Sequence, residues 1–324
     1  MLAVPDMRAL AALLAVLVGA LSLSGASAKD PPLPYNSLSD EFVKFYDKTA
    51  NVPEDKRVQQ FRRKFGEAFP GFYAPDGQTD AEFNASIARA LADFPRKRAR
   101  FEEVERDFPA AYRAGIAHMQ TQFPGFQQTM PVYFLHSLSR MDGGTRTYDK
   151  KQYLIFGADM IADIHDARDM GPFLDHELFH VENAKWFKDC AAMWCSLWQE
   201  GLATWAASQM NPGADDHQLL LDKPRPIRAK VDATWRDALC QTAKDLLSTD
   251  KAVYARYFYG KVDPKSEYPP RYGYYVGYRL MQHLSARYTL RQLDRMGNSA
   301  AATLISREMQ NMLAEAGGCA SRRA

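Results

Sequence analysis

Two kinds of hydrophobic pattern, one helical and one strand-like, occur along this chain of 324 residues. From Ser37 to about Phe126, apolar residues recur every three or four positions, which is typical of amphipathic helices. Thr79 or Asp80 can cap one of these helices. Its apolar face comprises Phe83, Ile87, Leu91 and Phe94. Because proline fits the first turn of a helix but disrupts its interior, we expect further helices to begin at Pro95 and Pro109.

A strand-like pattern begins after Met130. Residues Val132 to His136 are rich in β-branched and aromatic side chains, and Tyr153 to Phe156 form a second such run. Asp142-Gly143-Gly144, between the two runs, is typical of a hairpin turn. The sequence therefore predicts a small antiparallel sheet in a fold of the α+β class that is mostly α.

The next predicted helix opens at Gly171-Pro172 and contains His176-Glu177-x-x-His180. Histidines four positions apart lie on one helix face, where both rings can bind one zinc ion. Glu177 projects about 100° around the axis from His176, so its carboxylate lies beside the metal and can take a proton from water. This spacing is the zincin signature. The alternative is a helix that carries two histidines by accident.

A catalytic zinc ion usually has three protein ligands, so the third must lie elsewhere. A metzincin would need glycine and histidine where this chain has Asn183 and Trp186. Glu182 points about 200° away from His180 on the same helix. Glu200 follows His180 by 20 residues, and small residues on its face would let its helix lie close to the zinc helix. We predict Glu200 as the third ligand, and a surface glutamate at a helix start is the alternative.

His-Glu-x-x-His followed about 20 residues later by Glu200-Gly201-Leu202-Ala203 resembles the gluzincin metallopeptidases. More closely, it is similar to the bacterial predicted zinc-dependent protease families of that clan, in which a helix with tyrosine-x-x-glycine follows. The corresponding residues here are Tyr274-Tyr275-Val276-Gly277. The resemblance covers about Met130 to Leu293 and leaves the helical N-terminal region unassigned.

The resemblance implies a zincin-like catalytic domain that binds one zinc ion per chain and hydrolyses peptide bonds. His176, His180 and Glu200 would bind the metal, and Glu177 would act as the general base. Tyr274 would donate a hydrogen bond to the developing oxyanion.

The resemblance also implies that a strand beside the cleft pairs with the backbone of a peptide or protein substrate. The strand that contains Tyr153 and Ile155 is the candidate. Tyr275 is the second choice for the oxyanion donor and a further candidate for substrate contact. Two other functions remain open. One is an inactive zinc-binding module that holds peptides or a partner protein, and the other is a zinc amidase that acts on a cell-wall substrate.

The first residues of the chain indicate export. Ala9 to Leu23 is an apolar run of 15 residues, too short for a comfortable membrane span, and Ala26-Ser27-Ala28 is a small-x-small cleavage site. We predict a periplasmic or secreted protein without stable membrane insertion after cleavage, and an uncleaved anchor is the alternative. The predicted divisions are a signal peptide at 1–28, a helical N-terminal region at 29–126 and a gluzincin-like domain at 127–324.

The four cysteines and the net charge bear on the environment and the partners. An even number of cysteines in an exported protein favours disulfides. We predict the pairs Cys190–Cys195 and Cys240–Cys319, and metal binding by Cys190 and Cys195 is the alternative. The formal net charge of +2 gives no basic excess that would indicate a nucleic-acid partner.

Overall fold

The structure is a computed structural model that describes residues 35–259 and 267–319. The signal peptide predicted at 1–28 lies outside the described residues. Within them, helices dominate and the sheet is small, as predicted for an α+β fold that is mostly α. None of the described helices combines the length and the apolar character needed to cross a membrane.

The elements are named in chain order. The strands are β1 (Asn36–Ser37), β2 (Val132–Leu135), β3 (Gly143–Tyr148) and β4 (Lys151–Gly157). The helices are α1 (Ser39–Lys48), α2 (Glu54–Ala68), α3 (Asp80–Gln122), α4 (Ala158–Ile164), α5 (Met170–Asn183), α6 (Met193–Met210), α7 (Arg228–Ala233), α8 (Trp235–Asp245), α9 (Lys251–Phe258), α10 (Tyr272–Leu284), α11 (Leu290–Asp294) and α12 (Asn298–Glu315).

The sheet is mixed, with the strand order β1-β2-β4-β3. β2 pairs in parallel with both β1 and β4, whereas β3 pairs with β4 in the antiparallel direction. The prediction of an antiparallel sheet is therefore wrong. The two strands that were expected to face each other as a hairpin, β2 and β4, run in the same direction because β3 lies between them in the chain and turns back onto β4.

The hairpin turn also lies at a different place. Asp142 precedes β3, and Gly143 and Gly144 are the first two residues of that strand. The turn between β3 and β4 is Asp149-Lys150, where φ is 48° and 63°. Positive φ at both central residues matches the twist of the flanking strands. Such turns favour glycine and asparagine, so the residue types at this turn gave a weaker signal than Gly143 and Gly144 did.

Helix α3 is continuous over 43 residues, and the prediction of separate helices is wrong. A capping box at Thr79 and Glu82 starts it as predicted. Pro95 and Pro109 lie inside the helix, where each costs about 3 kcal/mol. The buried face nevertheless continues across both prolines, through Phe94, Phe101, Val104, Phe108 and Tyr112. Packing along this face outweighs the local cost.

The helical N-terminal region shares its core with the rest of the described chain. Strand β1 extends the sheet, and α3 packs against α4 and α5. A methyl group added at Gly115 of α3 would lie 3.0 Å from Cδ1 of Leu178 in α5, so these two helices are in close contact. Helix α3 therefore supports the helix that carries His-Glu-x-x-His.

Both predicted cysteine pairs are confirmed at disulfide distance. The Cα atoms are 5.9 Å apart in Cys190–Cys195 and 5.6 Å apart in Cys240–Cys319, within the usual range of about 4.4–6.8 Å. The first pair closes the connection between α5 and α6. The second joins α8 to the segment after α12.

Candidate metal centre

Three side chains meet where α5 packs against α6. His176 and His180 project from α5, and Glu200 projects from α6. Nε2 of His176 lies 3.1 Å from Nε2 of His180 and 3.2 Å from Oε2 of Glu200. Nε2 of His180 lies 3.5 Å from the same oxygen. The structure thus brings together the three residues that the sequence predicts as metal ligands.

The spacing of these three atoms fits a zinc ion. In a tetrahedral site with bonds of about 2.0–2.1 Å, neighbouring ligand atoms are about 3.3 Å apart. The observed separations are 3.1, 3.2 and 3.5 Å. Two imidazoles and one carboxylate are also ligand types of catalytic zinc sites. The side chains of His176, His180 and Glu200 are 16%, 18% and 21% exposed, so a fourth ligand can approach from solvent.

The ligand set holds its carboxylate in the charged form. Burial by itself raises the pKa of Glu200, but the charge of His180 and hydrogen bonds from both histidines hold this pKa well below its usual range. Burial likewise lowers the pKa of His180, whereas Glu200 raises it to about 9. An ionised carboxylate beside two imidazoles suits a cation, which displaces the histidine proton when it binds.

Glu177 lies beside the ligand atoms and is not one of them. Its side chain is buried, and its Oε2 has no hydrogen-bond partner among the described residues. Burial raises the pKa of this carboxyl group. A Cβ atom at Gly143 of β3 would lie 2.9 Å from Cγ of Glu177, closer than real Cβ contacts. Glycine at position 143 therefore leaves the space that the Glu177 carboxylate occupies.

Tyr274 lies in the first turn of α10, and its ring centre is 6.1 Å from that of His176. Burial raises the pKa of its hydroxyl well above the usual value, and the charge of Glu200 adds to the effect. The hydroxyl therefore stays protonated and can donate a hydrogen bond.

Two glycines bring α6 and α10 together. Gly201 follows Glu200 on α6, and Gly277 lies one turn after Tyr274 on α10. A Cβ atom at Gly277 would lie 2.6 Å from the carbonyl oxygen of Leu197 and 2.8 Å from Cα of Gly201. The helices thus cross with their backbones in contact, and this crossing holds Tyr274 and Glu200 at one site.

Two of the candidate ligands, His180 and Glu200, face an open space of about 630 Å³, called the cleft below. Strand β3 lines one part of it through Gly143 to Arg146. The cleft is also lined by Glu177, His180, Glu200, Tyr254, Arg271 and Tyr274. A smaller cavity of about 90 Å³ adjoins His176 and Glu177, and Arg271 and Tyr274 line both spaces.

The strand predicted to pair with substrate lies in the interior of the sheet. Strand β4, which carries Tyr153 and Ile155, has β2 on one side and β3 on the other, so neither edge can accept a peptide. Ile155 is fully buried, and the Tyr153 ring packs 5.0 Å from the ring of Phe69. The prediction is therefore corrected: β3 is one of the two edge strands of the described sheet, and it is β3 that lines the cleft.

Tyr275 lies outside the cleft. Its side chain is buried, its hydroxyl donates to Oδ1 of Asp232 at 2.8 Å, and the guanidinium of Arg228 stacks 4.9 Å from its ring centre. These contacts join α10 to α7. The predicted contact between Tyr275 and substrate is therefore corrected to a structural role.

A buried chain of polar residues beside β3 was missed by the sequence argument. Nε2 of His165 lies 3.2 Å from Oδ2 of Asp142, and its Nδ1 lies 3.2 Å from Oδ1 of Asp169. Burial lowers the pKa of His165, but the two carboxylates raise it by more. This chain anchors the residue that precedes Gly143. The motif Asp142-Gly143-Gly144 marked the place, but its partners are distant in sequence.

A second group of possible ligands is already partnered. Carboxylate oxygens of Asp166 and Asp169 and a ring nitrogen of His217 lie within 4.8 Å of one another. Nζ of Lys223 is 3.0 Å from Oδ2 of Asp169, and Nδ1 of His217 is 3.2 Å from Asp222. The group is best described as an ion-pair network.

No protein-family model, curated protein or solved structure matches this chain.

Proposed function

We propose that this chain is an exported zinc metallopeptidase of the gluzincin type. The observation that carries the proposal is the triangle of Nε2 of His176, Nε2 of His180 and Oε2 of Glu200, whose sides of 3.1 to 3.5 Å suit one tetrahedral zinc ion. A zinc ion in this position supplies a Lewis acid that polarises a carbonyl group and lowers the pKa of water.

Glu177 is the proposed general base. It adjoins His176 in sequence, is not needed as a ligand, and has a buried carboxylate oxygen without a hydrogen-bond partner among the described residues. The burial that raises its pKa makes it a better proton acceptor than an exposed carboxylate. Glu177 takes a proton from the attacking water and later gives it to the leaving amine.

Tyr274 is the proposed oxyanion donor, and β3 is the proposed peptide-binding strand. The Tyr274 hydroxyl stays protonated, and the Tyr274 ring lies 6.1 Å from the ring of His176, on an element separate from both ligand helices. The free edge of β3 can add an extended substrate as a further strand. Its first residues lie against Glu177, which would place the substrate backbone beside the general base.

Export is the proposed origin of the oxidised cysteines. Two pairs at disulfide distance fit an oxidising compartment, and the apolar run at Ala9 to Leu23 fits a signal peptide.

The substitution Glu177→Gln tests the enzyme against an inactive binding module. We expect one zinc per chain in both proteins by elemental analysis, and loss of most hydrolysis of a broad peptide library in the variant. Glu182→Gln is the matched control, since Glu182 is also a buried glutamate on α5 but pairs with Lys185. It should retain hydrolysis. A wild-type chain that binds zinc and peptides but cleaves none would support the binding module instead.

A further inference from the structure

Arg271 stands where two spaces that reach the candidate metal ligands meet. It lines the cleft together with His180 and Glu200, and it lines the small cavity beside His176. Its guanidinium carbon lies 4.7 Å from the ring centre of Tyr274, and that ring centre is 6.1 Å from the ring of His176. An extended peptide advances about 3.3–3.6 Å per residue. A substrate group at Arg271 would therefore lie within a few residues of the scissile bond.

The charge of Arg271 has no ion-pair partner among the described residues. Asp142 is the nearby acid whose pKa Arg271 helps to lower, but the carboxylate of Asp142 is hydrogen-bonded to His165. The carboxylate of Glu200 is a proposed metal ligand, and the carboxylate of Glu177 is the proposed general base. A guanidinium that lines a cleft and has no carboxylate partner is able to bind one from a ligand.

The backbone fixes the position of this side chain. Arg271 is the N-cap residue of α10 and has φ of 65°, a left-handed conformation that costs a non-glycine residue about 1 kcal/mol or more. Its carbonyl oxygen accepts a hydrogen bond from the amide of Tyr274 at 3.1 Å. Leu220, which lines the same small cavity, also has positive φ, 55°. Non-glycine residues held in the left-handed region of φ/ψ space cluster at ligand-binding sites.

We propose that Arg271 binds a carboxylate of the peptide substrate close to the scissile bond, so that the site prefers acidic substrates. This inference rests on the proposed metallopeptidase function. The planar guanidinium can form two parallel hydrogen bonds with a carboxylate, which gives both affinity and orientation. Two parts of a peptide offer this group: the side chain of Asp or Glu, and the C-terminal carboxylate.

Four peptide pools separate these two sources. Each pool is a randomised decapeptide with one fixed position that holds Glu or Gln, and each is made with a C-terminal acid or a C-terminal amide. We expect kcat/KM to be about 10-fold or more higher for the pool that carries the preferred carboxylate, which is the usual size of a charge-assisted hydrogen bond. A difference between Glu and Gln identifies a side chain, and a difference between acid and amide identifies the C-terminus.

Variants of Arg271 test the assignment. Arg271→Gln should reduce the preference to about 2-fold or less, while Arg271→Lys should retain part of it because the charge remains. Arg271→Glu should shift the preference toward a Lys-containing pool. The control is Arg146→Gln, which removes a positive charge from β3 in the same cleft. An equal loss of preference in Arg146→Gln would show that the effect is not specific to Arg271 and would contradict the inference.

Binding to the zinc-loaded Glu177→Gln protein, measured by fluorescence anisotropy with the same labelled pools, separates the two proposals. Cleavage without any preference for a carboxylate would leave the metallopeptidase standing and overturn the role of Arg271. Preferential binding of one carboxylate pool, abolished by adding Arg271→Gln, would support the role of Arg271 even where the wild-type chain cleaves no pool. Equal binding of all four pools would overturn it.

Discussion

Glu177 and Glu200 lie near the same two histidines, yet their surroundings set opposite proton affinities. Burial raises the pKa of Glu177, whose Oε2 has no hydrogen-bond partner among the described residues. Burial acts in the same direction on Glu200, but hydrogen bonds and charge from both histidines hold its pKa low. Two carboxylates pushed apart in this way can take different roles, one as a proton acceptor and one as a ligand.

At the residue scale, the first prediction concerns Tyr274, the proposed oxyanion donor. We expect Tyr274→Phe to lower kcat by about 10²-fold, because the variant loses one hydrogen bond that forms in the transition state. Zinc affinity and Tm should stay close to those of the wild type. Tyr254→Phe is the matched control, since Tyr254 lines the same cleft. A loss in Tyr254→Phe with full activity in Tyr274→Phe would move the role to Tyr254.

The second prediction is that Asp294 makes the unfolding free energy depend on pH. Burial, with a contribution from the charge of Glu182, raises its pKa from 3.8 to about 6. The folded chain therefore holds this proton more tightly than the unfolded chain, and the stabilisation is full below about pH 4 and is lost as pH rises through about 6. Asp294→Asn should remove this dependence and be more stable at pH 7 by up to about 3 kcal/mol.

Urea unfolding of both proteins from pH 4 to 7 checks this prediction. The difference in unfolding free energy between variant and wild type should grow with pH across this window. A difference that is constant from pH 4 to 7 would show that the carboxyl group of Asp294 does not titrate as described.

At the element scale, local periodicity and long-range pairing differ in how well the sequence reveals them. The spacing of His176, Glu177 and His180 is set within two helical turns, so their common site was predictable. The packing of α6 was also predictable, since small residues beside Glu200 allow a close helix. The order of strands was not, because it depends on which distant strand each edge meets. The continuity of α3 likewise depends on tertiary packing that outweighs two prolines.

The prediction at the element scale concerns the close crossing of α6 and α10. Gly277→Ala places a Cβ atom 2.6 Å from a backbone oxygen of α6, and backbone cannot move aside as a side chain can. We expect a loss of about 1–3 kcal/mol in unfolding free energy, with lower kcat because Tyr274 shifts relative to Glu200. Gly66→Ala in α2 is the control, where the nearest atom is 4.0 Å away.

Glycine in a helix interior is unfavourable relative to alanine, so Gly66→Ala should be neutral or more stable by up to about 1 kcal/mol. Urea unfolding and steady-state kinetics of the two variants measure the contrast. Wild-type stability and kcat in Gly277→Ala would contradict the close crossing.

At the scale of the whole molecule, one disulfide joins segments that are distant in sequence, and the other joins segments that are close in sequence. Cys240–Cys319 spans 79 positions, whereas Cys190–Cys195 spans 5. The even number of cysteines and the short spacing of Cys190 and Cys195 favoured these two pairs, but three pairings were possible from the sequence. The contribution of the helical N-terminal region was less visible, because β1 and α3 join the sheet and α5 only through tertiary contacts.

The prediction at the scale of the whole molecule concerns how much each disulfide stabilises the chain. Loop-closure entropy assigns about 4.5 kcal/mol to the long loop and about 2 kcal/mol to the short loop. Replacing Cys240 and Cys319 by alanine should therefore destabilise the chain more than replacing Cys190 and Cys195. Urea unfolding under oxidising conditions measures both losses, and the same measurements after full reduction should show little difference. A larger loss from the short loop would contradict the entropic account.

We propose that His176, His180 and Glu200 together bind one zinc ion. Anomalous X-ray diffraction at the zinc absorption edge, on crystals of the zinc-loaded chain, tests it most directly. We expect one strong peak about 2.1 Å from Nε2 of each histidine and from a carboxylate oxygen of Glu200. A peak at Asp166, Asp169 and His217 instead, or no peak between the two histidines and Glu200, would contradict it.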